Sequence, residues 1–159
     1  MAFGGCHNAL RRIGHYISIE TQGSIWAPWV QSCDKICVSP KGPGMQENLS
    51  VEDFERFYSA LHRHPGFYIK VVVFDQRDLE FIIELQERFP LEDRYFISVG
   101  NPNPPNVEGK SPLKKKDFVE WQLEALGDVT DKVLADTRLR GIKVLPQLHT
   151  FIWGQQKGK

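Results

Sequence analysis

The stretch Tyr68-Ile69-Lys70-Val71-Val72-Val73-Phe74 decides the fold of this 159-residue chain. Its β-branched run predicts a buried strand. A helical pattern precedes it, with Ser50 as N-cap and a buried stripe of Phe54, Phe57, Tyr58 and Leu61. A second helical pattern begins at Asp75 or Gln76 directly after it. A helix, a buried strand and another helix in this order predict one unit of an alternating α/β fold.

Four further strands are predicted along the chain, at residues 16–19, 35–38, 95–99 and 142–145. Another mostly helical segment spans residues 117–140, and Gly141 is its predicted stop. Five strands with intervening helices or links predict a parallel sheet with right-handed crossovers. The count is too low for a complete eight-stranded barrel, so the fold class is α/β, either an incomplete (β/α) barrel or an open sheet. We expect residues 1–159 to form one domain.

Composition restricts the partners of the chain. Twenty basic residues balance twenty acidic ones, so net charge gives no general attraction to nucleic acid or to an anionic membrane. The short run Lys114-Lys115-Lys116 is interpreted as a solvated helix start. No apolar stretch approaches the ~20 residues that span a bilayer, and the first residues lack the apolar region of a signal peptide. We expect a cytoplasmic protein without direct nucleic-acid or membrane contacts.

The three cysteines do not predict a disulfide framework or a metal site. Their number is odd, and nothing indicates secretion. Cys33 and Cys37 have the spacing C-x3-C, which opens the C-x3-C-x2-C cluster motif of many radical enzymes, but Pro40 occupies the third position. Cys37 also lies in an apolar run and is expected to be buried. Cys6 and His7 alone are too few ligands to indicate a metal.

Polar residues close the first two predicted strands. Glu20, Thr21 and Gln22 follow the first strand, and Ser39 and Lys41 follow the second. Because the carboxyl ends of parallel strands form one rim where ligands bind, these residues predict a site with a carboxylate, hydroxyls, an amide and a lysine. The alternative is that the first three are only a polar strand end with a capping role.

Gln147 and His149 are expected to close the last strand. Alternate residues of a strand share a face, so the two side chains are predicted to point the same way. Lys70 is unusual within an apolar strand. It is expected either to point into the centre of the barrel or to reach solvent near the start of the strand.

Four sequence blocks resemble the 7-carboxy-7-deazaguanine synthases, which are radical S-adenosylmethionine enzymes of queuosine and deazapurine biosynthesis. The resemblance runs from about Tyr16 to the C-terminus, and its blocks are Ile19-Glu20-Thr21-Gln22-Gly23-Ser24, Cys37-Val38-Ser39-Pro40-Lys41, Ile69-Lys70-Val71-Val72 and Val144-Leu145-Pro146-Gln147-Leu148-His149 with Trp153-Gly154. It implies an incomplete (β/α) barrel that converts 6-carboxytetrahydropterin into 7-carboxy-7-deazaguanine with loss of ammonia. The implied cofactors are S-adenosylmethionine, a 4Fe–4S cluster and magnesium. The cluster reductively cleaves S-adenosylmethionine, and the resulting radical abstracts a hydrogen from the substrate.

The same resemblance favours a cofactor-binding role for the polar residues after the first two strands and a substrate-binding role for those after the last strand. The residues concerned are Glu20, Thr21, Gln22, Ser39 and Lys41 for the cofactor, and Gln147 and His149 for the pterin. No catalytic or metal-ligating residue is assigned.

The sequence also departs from the family. The C-x3-C-x2-C loop and the Gly-Gly-Glu-Pro-type motif of the family's N-terminal part are not found in it. We therefore expect a C-terminal half or two-thirds of such an enzyme, with N-terminal units missing, no cluster of its own and no activity alone. Open sheet edges favour self-association, for example as a homodimer, or poor stability. The alternative function is a non-catalytic module that binds S-adenosylmethionine or a pterin.

Overall fold

The computed structural model describes residues 2–47, 49–101 and 115–154, without the side chains of residues 2, 3, 115 and 116. The strands are β1 (Ser18–Thr21), β2 (Lys35–Val38), β3 (Phe67–Val73), β4 (Tyr95–Val99) and β5 (Lys143–Val144). The helices are α1 (Ala2–Arg12), α2 (Val51–Leu61), α3 (Gln76–Arg88), α4 (Lys115–Ala135) and α5 (Leu148–Trp153). Short 3₁₀ turns lie at Pro28–Ser32, Pro43–Met45 and Thr137–Leu139.

The five strands form one sheet in the sequential order β1-β2-β3-β4-β5, and all neighbours are parallel. Because every step moves in the same direction and parallel crossovers are right-handed, the connecting helices are placed on one face. This is the arrangement of a partial (β/α) barrel, and it confirms the predicted α/β class. The bounds of β2 and β4 agree with the sequence. By contrast, β1 begins at Ser18 rather than Tyr16, and β5 has only two residues.

The hydrophobic core lies between the helices and one face of the sheet. Helix α2 begins at the predicted N-cap, where the Ser50 hydroxyl accepts from the Asp53 amide at 3.3 Å. Three of its four predicted stripe residues are fully buried. The fourth, Tyr58, is half-buried, and its hydroxyl donates to the Pro90 carbonyl at 2.9 Å. The remaining core comes from the odd-numbered residues of β3, Phe67, Ile69, Val71 and Val73, and from apolar residues of α3 and β4.

The opposite face of the sheet is named here the open face. Alternation along the strands and the pairing register place on it Glu20, Cys37, Tyr68, Lys70, Phe96 and Lys143. None of these residues belongs to the core cluster found in the described part of the chain. The open face therefore corresponds to the interior of a barrel that these five strands only partly enclose.

Helix α4 is shorter at its C-terminal end than the sequence predicts. Helix α4 ends at Ala135 rather than near Arg140, because the Asp136 carboxylate accepts from the Arg138 amide at 2.9 Å and begins a short 3₁₀ turn. Of the basic run, Lys114 lies outside the described residues, and its two successors begin α4. No helix within the described ranges is long and apolar enough to cross a membrane.

Candidate functional site

The ends of β1 and β2 are level and form the first part of the carboxyl rim. Glu20 pairs with Cys37 and Thr21 with Val38 in the parallel register. The Ser39 amide extends this ladder by donating to the Thr21 carbonyl at 2.7 Å. The two predicted polar motifs therefore lie beside each other at the rim, as the sequence predicts.

Glu20 lies on the open face and is not an isolated carboxylate. Its Oε1 atom is 2.7 Å from the Lys70 Nζ atom of β3, and the ion pair passes over Cys37 of the intervening strand. Lys70 therefore points across the open face, which decides between the two orientations expected for it. The Glu20 side chain is 57% exposed and that of Lys70 is 27% exposed, so the carboxylate can still accept from a bound molecule while Lys70 fixes its position.

The groups beside this ion pair are neutral at physiological pH. Burial raises the pKa of the Cys37 thiol above its ordinary value. The pKa of the Tyr68 phenol is also raised, mainly by burial and further by the neighbouring Cys37 thiol. Both groups stay protonated near pH 7, so the charges beside them come from Glu20, Lys70 and Lys35, whose Nζ atom lies 5.1 Å from the centre of the Tyr68 ring.

Thr21 and Gln22 hold the turn that leaves β1. The Thr21 hydroxyl accepts from the Gly23 amide at 3.2 Å, and the Gln22 Nε2 atom donates to the Ser24 hydroxyl at 3.2 Å. Gly23 has a φ of 87°, and a Cβ atom there would lie 2.8 Å from a Val38 methyl carbon. Thr21 therefore has a structural role in this turn, whereas Gln22 remains exposed to a ligand.

Gln22 and Lys41 line one shallow pocket at the rim, together with Gly23, Ser24, Glu47, Leu49 and Ser50. Its volume is about 40 Å³, whereas sites that enclose a small organic ligand have about 300 Å³ or more. Glu47 was not predicted, because a single glutamate in a loop carries no signal of its own. Ser39 is buried and is held at the strand end.

The structure corrects the expected geometry of Gln147 and His149. They do not continue β5: Leu148–Trp153 is helix α5 and Gln147 is its N-cap, so the strand argument for a shared face is wrong. The Gln147 Nε2 atom donates to the Val99 carbonyl at 2.8 Å, so the side chain rather than a strand joins this segment to β4. Pro146, which has no amide hydrogen to donate to a ladder, precedes it. His149 is exposed on α5.

The candidate residues that follow β1 and β2 and those that follow β5 lie at the same carboxyl rim but near opposite edges of the sheet. β1 and β5 are separated by three strands. Four steps of ~4.8 Å give a separation of roughly 19 Å along a flat sheet, which inward curvature shortens. The structure thus unites Glu20, Gln22, Ser39 and Lys41 in one region, and Gln147 lies in another.

The described cysteines do not form a metal-binding cluster. Cys33 and Cys37 are buried, Cys6 is exposed, and all three are free. Burial raises the pKa of the Cys33 thiol as it does that of Cys37, which opposes the thiolate that iron requires. Across residues 2–47, 49–101 and 115–154, no group of three or more His, Cys, Asp and Glu side chains could hold a metal ion.

The fold defines the chain as an α/β protein of the partial (β/α)-barrel kind, with the candidate residues at the carboxyl ends of its parallel strands. No protein-family model matches the chain. It is 35% identical to a 7-carboxy-7-deazaguanine synthase of Bacillus cereus over 94% of its length and 59% of the relative. The synthase of Bacillus subtilis is 31% identical over 89% of the chain and 56% of the relative. That of Leptospira interrogans is 27% identical over 74% of the chain and 40% of the relative.

The chain is therefore homologous to the 7-carboxy-7-deazaguanine synthases, which confirms the resemblance found in the sequence. It spans less than two thirds of the length of each of these relatives.

Proposed function

We propose that this chain is part of a 7-carboxy-7-deazaguanine synthase-like enzyme of queuosine and deazapurine biosynthesis. The reaction would convert 6-carboxytetrahydropterin into 7-carboxy-7-deazaguanine with loss of ammonia. The main support is the similarity to three relatives of that name along 74–94% of the chain. The family-like blocks after β1 and β2 also lie together at the carboxyl rim, where barrel enzymes bind their ligands.

The β1–β2 region has a donor and acceptor set that fits S-adenosylmethionine. Glu20, held by Lys70, can accept hydrogen bonds from ribose hydroxyls or from an amino group. Gln22 and Lys41, which share the rim pocket, can contact its polar groups. When bound to a reduced cluster, S-adenosylmethionine would supply the radical that begins the reaction. The role of this chain would be to bind and orient the cofactor and, through Gln147 and His149, the pterin.

The iron–sulfur cluster does not fit the described cysteines, for the reasons of burial and pKa given above. We therefore assign no step through it to this chain and propose that activity requires further protein. Magnesium, homodimer formation, a cytoplasmic location and the absence of nucleic-acid and membrane contacts stay predictions. The burial of two of the three thiols also favours the alternative of a non-catalytic S-adenosylmethionine- or pterin-binding module.

Calorimetric titration of the chain with S-adenosylhomocysteine, the demethylated analogue, tests the cofactor role. We expect saturable binding that Glu20→Gln and Lys41→Ala each weaken. Gly127→Ala is the matched control, because Gly127 lies on α4 with no atom within 4 Å of its added Cβ. Absence of binding by the folded wild-type chain would contradict the proposal. Anaerobic reconstitution with iron and sulfide then tests the expected inactivity, since product formation by the chain alone would contradict both that expectation and the non-catalytic module.

A further inference from the structure

Asp78 is a buried carboxylate of α3 to which the sequence assigns no function. It is 0% exposed, and a charged side chain is rarely buried unless it is paired or fully hydrogen-bonded. Its Oδ1 atom accepts from the Gly44 amide at 2.8 Å. Gly44 belongs to residues 39–47, named here the β2 loop, which also carries Ser39 and Lys41.

The other carboxylate oxygen serves a different loop. Its Oδ2 atom accepts from the Phe74 amide at 2.7 Å and from the Asp75 amide at 3.3 Å, where β3 turns into α3. One buried side chain therefore joins the chain segments that leave two neighbouring strands at the carboxyl rim. Hydrogen bonds to an ionised acceptor are shorter and stronger than neutral ones, so these three bonds hold the two segments together more strongly than bonds to a neutral side chain would.

The β2 loop is shaped to close on this carboxylate. A Cβ atom on Gly42 would lie 2.4 Å from Oδ1 of Asp78, and one on Gly44 would lie 2.2 Å from Oδ2. Both distances are too short for any side chain, so the two glycines let the backbone approach the carboxylate directly. Neither glycine has the positive φ that would give a conformational reason for its presence.

These contacts anchor the β2 loop at both ends of the segment that carries Lys41. At one end, the Ser39 amide bonds to Thr21 of β1. At the other end, the Gly44 amide bonds to Asp78. Lys41 lies between the two anchors and lines the rim pocket together with Gln22.

From this geometry we infer that Asp78 is a positioning residue: it fixes the β2 loop so that Lys41 is preorganised for an anionic or hydroxyl-bearing ligand at the rim. Its role for S-adenosylmethionine rests on the proposed function, whereas its role in ordering the loop does not. A loop that is already ordered before the ligand arrives raises affinity, because the free energy of binding is not reduced by the entropic cost of ordering the loop.

The test compares Asp78→Asn with Asp75→Ala. Asp75 is the N-cap of the same helix and accepts from the Arg77 amide at 2.8 Å, so Asp75→Ala weakens α3 without removing a contact to the β2 loop. Trypsin cleavage of the Lys41–Gly42 bond, followed by mass spectrometry under native conditions, reports opening of this loop. We expect cleavage about tenfold faster in Asp78→Asn than in Asp75→Ala, because a hydrogen bond to a charged group is lost.

A ligand measurement completes the test with S-adenosylhomocysteine as the probe. We expect its Kd to rise about tenfold in Asp78→Asn and to stay near the wild-type value in Asp75→Ala. Equal cleavage in the two variants would overturn the positioning role. Faster cleavage with unchanged Kd would overturn its link to binding. If the wild-type chain does not bind the probe, the proposed function fails, while the cleavage result still decides the role of Asp78.

Should Asp78→Asn fail to fold, Gly44→Ala provides the second variant. It displaces the loop from the carboxylate and leaves the charge in place. Cleavage after Lys41 is then expected to rise as in Asp78→Asn, and an unchanged rate in folded Gly44→Ala protein would contradict the inference.

Discussion

Substitution of Gly44 by alanine tests the close packing of the β2 loop on Asp78. The added Cβ atom would lie 2.2 Å from the Asp78 Oδ2 atom and 2.9 Å from the Phe74 Cβ atom. A normal carbon–oxygen contact is roughly 3.3 Å, so loop and carboxylate must separate by about 1 Å. The 2.8 Å hydrogen bond from the Gly44 amide would then exceed hydrogen-bonding distance.

The expected loss follows from this displacement. The loss of a hydrogen bond to a charged group costs about 1.5–3 kcal/mol. Overpacking costs a similar amount, but it is relieved by the same movement that breaks the hydrogen bond, so the two are counted once. Replacing glycine also restricts the unfolded chain, which returns about 0.4–1 kcal/mol. We therefore expect Gly44→Ala to lower the free energy of unfolding by about 2 kcal/mol.

The assay is urea unfolding followed by tryptophan fluorescence, with Gly127→Ala as the control. Gly127 is exposed on α4 with no atom within 4 Å of its new Cβ, so alanine there should raise the unfolding free energy by about 0.8–1 kcal/mol. In an Asp78→Ala background, the clash with the carboxylate and the lost hydrogen bond are both absent. Gly44→Ala should then cost at least ~1 kcal/mol less than in the wild type.

Two results would contradict close packing of Gly44 on Asp78. One is a Gly44→Ala protein within ~0.5 kcal/mol of the wild type, which is the range of an ordinary surface substitution. The other is a strictly additive double-mutant cycle with Asp78→Ala, since contacting residues should couple.

Three further predictions concern the rest of the fold. Gly66→Ala should lower the unfolding free energy by about 1–3 kcal/mol or more in urea titrations, because its Cβ would lie 2.0 Å from the Asp34 backbone carbonyl oxygen; unchanged stability would mean that β2 and β3 are not packed as described. The Ile17 amide and Arg11 lower the pKa of Asp34, so its contribution to the free energy of unfolding is complete above pH ~4 and is lost as the pH falls through the lowered pKa. Asp34→Asn should therefore flatten the acid side of the curve of stability against pH, and an unchanged curve would contradict this. Thiol titration should show fast alkylation of exposed Cys6 and slow alkylation of buried Cys33 and Cys37 until urea unfolds the chain, whereas three equally fast thiols would contradict their burial.

Much of the sheet follows from the sequence because its strands are apolar runs between strong local signals. The bounds of β2 and β4 agree with the prediction, since Gly, Pro or charged residues stand close to each run. The segment after β5 was predicted wrongly, because a two-residue strand gives too short a pattern. There the Gln147 side chain bonds to the β4 backbone, a tertiary contact that local pattern cannot show.

The candidate site was predictable in its location but not in its internal contacts. Parallel topology alone places Glu20 and Ser39 at one rim. The pairing of Glu20 with Lys70 depends on the register of three strands, which the sequence does not specify. Asp78 is hidden for another reason: an acidic residue in the first turn of a helix is adequately explained as a capping residue.

An amide NMR titration of the chain with S-adenosylhomocysteine locates the proposed ligand site. We expect the largest shift changes at residues 20–24 and 39–47, which form the rim at β1 and β2. Largest changes instead at the amino ends of the strands, around Lys35 and Gly66, would contradict it. A spectrum that does not change at saturating ligand would contradict the binding function altogether.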